Sequence, residues 1–165
     1  MEDRPKIKFH LSPFDKKMEV AGFLLLLFMW CLLLFVYFKL PKIIPTHFGA
    51  SGKPNDYGRK ETLLLIPILG TILFFALAQL SKYPHIFNYR VKITPENAEG
   101  EYTSAVRIFR FLRIAILIIF TAIILITYLN VIGLVSAVGA WFLPMTFALL
   151  LAPTIIMIAR SLRKK

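Results

Sequence analysis

His47 and Asp56 are the metal-type side chains that stand close together outside the apolar stretches of this chain, with Glu61 nearby. One imidazole and two carboxylates are the right donors for a divalent cation. A zinc site, however, takes three or four protein ligands, and one of these candidates sits where the chain turns apolar. The simpler expectation is that His47 hydrogen-bonds backbone and orders its own loop. Cys31 lies inside an apolar run, so it has no disulfide partner and cannot ligate alone. Arg107, Arg110 and Arg113 recur at spacing three, which spreads them over one broad helical face. A membrane-anchoring belt at the headgroups is their expected role, ahead of a ligand site. No Ser-His-Asp set, HExxH, P-loop or Gly-rich fingerprint is present. Gly49-Ala50-Ser51-Gly52 lacks the strand and helix that flank a nucleophile elbow. The residues therefore point to no catalytic set, no metal and no cofactor.

The elements that position these residues follow from charge placement. The chain has 165 residues, 58% of them hydrophobic, and a mean hydropathy of +0.69, above ordinary globular usage. Residues 20–38, 62–81 and 114–159 are free of charge, runs of 19, 20 and 46 residues. A bilayer core of about 30 Å takes roughly 20 helical residues. The first two runs match one span each, and the third matches two with a turn near Asn130, Gly133, Ser136 and Gly139. The expectation is an all-α integral membrane protein, one domain over 1–165, with helices at about 13–39, 61–81, 95–129 and 136–160. Buried helices of a soluble protein keep a polar face, and the stretch from Leu24 to Trp30 leaves none. A cleaved signal is disfavoured as well, because Phe38-Lys39-Leu40-Pro41 is not a small-residue cleavage site. All nine acids, all twenty Lys and Arg and all three His lie outside the runs. Proton and ion paths carry ionisable groups inside the bilayer, so a proton-coupled pump is not expected.

The net charge of +11 reads as a topology signal. Five basic residues precede the first run, five follow it, six lie in the second connection, none in the third and four in the tail. With both termini cytoplasmic, 5 + 6 + 4 = 15 are inside and 5 + 0 = 5 outside, as the positive-inside rule requires. Anionic lipid headgroups, not nucleic acid, are the partner this implies. His10 and His85 then fall on the side opposite His47.

Local signals refine the picture. Ser12-Pro13-Phe14-Asp15 is a capping-box start for the first helix. Thr94-Pro95-Glu96-Asn97 repeats the logic, with Thr94 as cap, and gives a third helix of about 35 residues and roughly 50 Å that begins before the bilayer. Pro67, Pro144 and Pro153 can kink their helices, and Ala148 with Ala152 forms a small-xxx-small pair. Phe87, Tyr89, Val91 and Ile93 alternate with Asn88, Arg90 and Lys92, an extended-chain period on the cytoplasmic surface. Three Pro and three Gly in residues 40–60 fix turns there, with Gly49 to Gly52 as a hairpin tip.

That first connection also carries a resemblance. Leu40-Pro41, Ile44-Pro45-Thr46-His47-Phe48, Gly52-Lys53-Pro54 and Tyr57-Gly58-Arg59-Lys60 resemble the signature of the Domain of Unknown Function 1648 family. Phe87-Asn88-Tyr89, Lys92-Ile93-Thr94, Glu96-Asn97-Ala98 and Tyr102 resemble the stretch that often follows it, so the likeness covers roughly residues 20 to 115. Gly49, Asn55, Asp56 and Arg90 depart from the pattern. The resemblance implies an SdpI-like bacterial protein of the inner (cytoplasmic) membrane, and suggests immunity to a secreted peptide or signalling of its presence.

Three function classes follow. One is a receptor or immunity protein whose outer loop senses a peptide or envelope state. The others are a small oligomeric transporter or channel, and a membrane enzyme acting on lipid. Missing intramembrane charges weigh against the second, and the missing catalytic set against the third. The candidate ligand- or partner-binding residues are His47, Phe48, Asp56, Tyr57 and Lys60, in a cap held by Phe48 and Tyr57 with His47 at its centre. Phe87, Asn88, Tyr89, Arg107, Arg110 and Arg113 are the candidate cytoplasmic surface for a regulator. Partners are then membrane lipid, an extracytoplasmic peptide or protein, and a cytoplasmic regulator, with the oligomeric state left open.

Overall fold

A computed structural model describes residues 4–7, 10–139 and 141–163. Glu2, Asp3, Lys8, Lys164 and Lys165, which enter the charge reading above, lie outside the described residues. The order of elements is α1 (Pro13–Tyr37), β1 (Ile43–Phe48), β2 (Pro54–Arg59), a 3-10 helix (Lys60–Leu64), α2 (Leu65–Leu80), a short 3-10 helix (Pro84–Ile86), α3 (Ala98–Val131) and α4 (Phe142–Arg163). Three helices are long and apolar enough to cross a membrane: Pro13–Tyr37, Lys60–Leu80 taking the 3-10 lead-in with α2, and Ala98–Val131. The apolar part of α4, Phe142–Ile156, is shorter.

The capping box forms as the sequence predicts. The Asp15 N–H donates to Ser12 Oγ at 3.2 Å, and the Ser12 N–H donates to Asp15 Oδ2 at 3.0 Å. Along α1 only a seam is buried, Asp15, Met18, Gly22, Leu26, Met29, Leu33 and Val36. Its steps of three and four are the helical period. Leu24, Leu27, Phe28, Leu34 and Phe35 on the other faces are exposed. The helix stops at Tyr37, two residues short of the expected 39, because Leu40 precedes Pro41 and is pushed out of the α region. Lys60 then closes the end, its Nζ donating to the Tyr37 and Leu40 carbonyls at 3.1 and 3.2 Å.

α3 is the central element and packs against α1, α2 and α4. The helices approach closely where glycine permits. A Cβ on Gly70 would meet Met29 Cε at 3.0 Å and Phe120 Cδ2 at 3.1 Å, and one on Gly22 would meet the Phe74 ring at 3.0 Å. Trp30 Nε1 donates to Thr71 Oγ1 at 3.0 Å, a polar tie between α1 and α2.

β1 and β2 form an antiparallel hairpin in register from Ile43↔Arg59 to Phe48↔Pro54, irregular around His47. Gly49 and Gly52 make its tip, with the Gly52 N–H on the Gly49 carbonyl at 2.8 Å. Gly52 has a φ of +74°, which only glycine adopts freely. The tip is docked, since the Val138 N–H donates to the Gly52 carbonyl at 2.7 Å and a Cβ at Gly52 would run into the Val138 carbonyl. The hairpin is anchored by Ile44, 1% exposed, and not by Tyr57, which is 59% exposed. Ile44 faces Gly58 across the ladder and turns into the core with Leu63. With Val138 docked on Gly52, residues 132–139 are not helical, and α4 begins at Phe142 and not near 136.

The third helix starts at Ala98, three residues later than the Thr94 cap implies. The Thr94 side chain instead hydrogen-bonds Glu96, holding that carboxyl below its ordinary range. Asn97 brackets the turn, its Oδ1 accepting from the Thr94 N–H and its Nδ2 donating to the Lys92 carbonyl, both at 2.9 Å. At 34 residues α3 is about 50 Å long, as expected.

This packing generates a contrast between two glycines. Gly70→Leu should cost about 1–3 kcal/mol through overpacking. Gly100→Ala should be neutral or gain up to about 1 kcal/mol, since nothing lies within 4 Å of its Cβ position. Thermal unfolding in detergent, followed by helical circular dichroism, checks both. Equal midpoints for the two variants would contradict the close α1–α2–α3 packing.

Candidate functional site

The hairpin closes one end of a cavity of about 720 Å³. β1 and the tip form its roof, Thr62, Leu63 and Ile66 one wall, Ile123, Ile126 and Thr127 of α3 another, and Phe142 and Leu143 of α4 the third. The lining is mostly apolar. The Thr62 hydroxyl is already committed to the Arg59 carbonyl at 2.8 Å. His47 contributes an imidazole whose Nδ1 is 2.6 Å from Asn55 Oδ1, so Nε2 is its remaining polar atom. Chemically this is an apolar-walled cavity with one imidazole among its lining side chains.

Of the five residues named for this end, His47 and Phe48 line the cavity. Asp56 pairs with His47 across the ladder but is exposed, with Oδ1 accepting the Tyr57 N–H at 2.8 Å. Tyr57 points outward. Lys60 is committed to the end of α1 and lies 4.6 Å from the Tyr37 ring centroid. Glu61 is paired with Arg59 at 3.2 Å. Among the described residues no three His, Cys, Asp or Glu side chains converge on a metal position.

The opposite end is built differently. The alternation from Phe87 to Ile93 appears as alternating burial: Phe87, Tyr89, Val91 and Ile93 are covered while Asn88, Arg90 and Lys92 are exposed. No strand forms there. Ile93 and Tyr102 are core to a small cluster that Ile7, Tyr89 and Val91 pack against, and Phe87 stacks on Phe109 at 4.8 Å. Burial pushes the Tyr89 phenol upward, leaving a neutral donor to the Pro84 carbonyl at 2.8 Å. Arg4 ties the N-terminal segment across this surface through the His85 and Phe87 carbonyls, and Tyr102 Oη donates to the Pro5 carbonyl at 3.1 Å. The sequence reading did not single out Arg4.

The three arginines do not form an outward belt. Arg107 Nε reaches Asp15 Oδ1 at 2.8 Å, and its Nη2 reaches Ser12 Oγ and Asp15 Oδ2, both at 3.1 Å. Arg110 bonds both acids of α1, Glu19 Oε1 at 2.7 Å and Asp15 Oδ1 at 3.3 Å. Arg113 Nη2 reaches Glu19 Oε1 at 2.7 Å, its guanidinium 4.8 Å from the Phe74 ring centroid. Arg110 and Arg113 side chains are 5% and 3% exposed, and Arg107 is 37% exposed. Asp15 and Glu19 were the missed partners. Their spacing of four puts them on one helical face, on and beside the buried seam that begins at Asp15, and that was the available signal.

Comparison with known sequences bears on the hairpin end. Residues 24–71 match the family described as Domain of unknown function (DUF1648). The match takes in most of α1, the whole hairpin and the first turns of α2, under a third of the chain. It stops before the second connection and the arginines. An "Uncharacterized protein" of Archaeoglobus fulgidus is 36% identical over 70 residues, covering 36% of this chain and 37% of that relative. The chain thus spans little more than a third of the relative's length. No solved structure matches.

Asp15→Asn should leave Arg107 and the buried Arg110 short of a counter-charge. Breaking one partner out of a buried ion pair costs about 3–5 kcal/mol, so its thermal midpoint should fall well below wild type. Asp56→Asn, with an exposed side chain, should leave the midpoint unchanged. A shift of equal size in both variants would mean that the ionic seam contributes nothing beyond an ordinary surface charge.

Proposed function

We propose that this chain is a multi-pass membrane receptor of the peptide-immunity or envelope-signalling kind, with four crossing helices, both termini cytoplasmic and the hairpin outside. The observation that carries the recognition role is the hairpin-roofed cavity with His47 and Phe48 in its lining. A roof whose turns are fixed by Pro and Gly loses little entropy on binding, and the cavity's apolar walls suit an apolar stretch of an extracytoplasmic peptide or protein. The topology rests on the 15-to-5 distribution of basic residues, with the hairpin and residues 132–139 at one end and the arginine end at the other. In a bacterium this is the inner membrane. The covered surface around Phe87 and Tyr89, with Asn88 and Arg90 facing out, is then the cytoplasmic face available to a regulator.

Two measurements test this. In a Cys31→Ala background, Ser51→Cys should react with an impermeant thiol reagent on intact cells, and Ser161→Cys only after permeabilisation; the opposite pattern overturns the orientation. In a strain lacking the gene and sensitised to an envelope-active peptide, His47→Ala and Phe48→Ala should fail to restore tolerance at normal abundance, while Asp56→Asn should restore it. Lowered abundance of His47→Ala would make that residue structural, and full complementation by both variants would remove the cavity from the function.

A further inference from the structure

At the end away from the hairpin, α3 and α4 line a second cleft of about 820 Å³. Its chemistry changes along its length. The polar lining residues are Glu101, Ser104 and Arg107, all in the first turns of α3. From Ile108 to Ile118 on α3, and from Met145 to Ile156 on α4, every lining residue is apolar. The apolar stretch of α3 covers ten residue steps, about 15 Å, which is half of a roughly 30 Å hydrocarbon core and so the depth of one leaflet. Ala148 and Ala152 form part of the floor.

The polar end carries a specific cation. Arg107 spends Nε and Nη2 on Asp15 and Ser12, and its Nη1 bonds none of the described residues. It is also the arginine of the three that remains 37% exposed. Within the ionic cluster three arginines face two carboxylates, Asp15 and Glu19, which leaves one positive charge in excess. Glu101 is the acid that lines the cleft, six residues or about 9 Å further along the helix axis.

We propose that this cleft holds one anionic phospholipid, its phosphate against Arg107 and one acyl chain along the floor between α3 and α4. A guanidinium already oriented by Asp15 presents its remaining N–H groups to a phosphate without further ordering. The occupant fits on three counts: sign of charge, order of polar and apolar groups along the cleft, and depth.

The full chain, purified in mild detergent, is titrated by native mass spectrometry with phosphatidylglycerol and with phosphatidylcholine of the same acyl chains. Wild type should retain one phosphatidylglycerol per chain with about fivefold preference, the size of one arginine–anionic headgroup contact. Arg107→Gln should abolish the preference. Ala152→Phe, which leaves the Arg107–Asp15 pair untouched, should displace both lipids, and Glu101→Gln should retain phosphatidylglycerol at least as well as wild type. Equal retention of the two lipids by wild type overturns the proposal, as does full retention by Ala152→Phe. A dimer that Ala152→Phe dissociates without changing bound lipid would assign the cleft to a second copy and overturn it too. Should Arg107→Gln fail to fold, the wild-type preference and Ala152→Phe decide the matter.

Discussion

The ionic seam between α1 and α3 sets the geometry on which the rest depends. Two carboxylates one helical turn apart meet three guanidiniums on the facing helix, with most of the atoms removed from solvent. Charges buried in this way are favourable only when their geometry and hydrogen bonding are nearly complete. The seam therefore tolerates little sliding of α1 along α3. Asp15 serves twice, as half of the capping box and as partner to Arg107 and Arg110, so where α1 begins and how it docks are one constraint. Below this point α1 is held by apolar contacts, the Trp30–Thr71 bond and, at its far end, the Lys60 bond to the Tyr37 carbonyl, all of them single ties beside a seam of five charged groups. Arg113 Nε has no hydrogen-bond partner among the described residues, and the Phe74 ring beneath its guanidinium offsets part of that cost.

Fixing α1 on α3 also determines what remains exposed. One seam of α1 is buried and its other faces present leucine and phenylalanine outward. In water such a surface would drive aggregation. In a bilayer it is ordinary solvent contact, and helix association rests on close packing and polar ties. Gly22 and Gly70, which let Phe74, Met29 and Phe120 reach the neighbouring backbone, are features of that regime. Charge is confined to the two ends, where the ionic seam and Lys60 satisfy it.

What was legible in the sequence was whatever depends on neighbours in the chain. The uncharged runs marked the helices, Ser12 and Asp15 marked a start, Gly49 to Gly52 marked a turn, and the alternation from Phe87 to Ile93 marked one covered side. What was not legible depends on groups far apart. Arg107 and Asp15 are 92 positions apart, and no local period distinguishes an arginine facing lipid headgroups from one facing an acid on another helix. Thr94 had the right spacing for a cap, but the competing bond to Glu96 and the Asn97 bracket moved the helix start. At the hairpin, aromatic size suggested Phe48 and Tyr57 as anchors. The ladder places Ile44 opposite Gly58 instead, and Tyr57 is left outside.

α4 lines both clefts. It packs chiefly on α3, and none of its described residues is buried. One opening lies beside the hairpin and the other beside the arginines. The two openings both lie between α3 and α4, at different heights and with no lining residue in common. At the hairpin end the connection before α4 is tied to Gly52 through Val138, so the roof and the helix that follows are mechanically joined. At the other end no comparable tie is present among the described residues, and the wall is set by arginines already committed to α1. The result is a roofed cavity with an imidazole in its lining and a side-opening cleft with a guanidinium at its mouth. The polar group at each opening comes from the hairpin or from α3, and α4 supplies apolar wall to both.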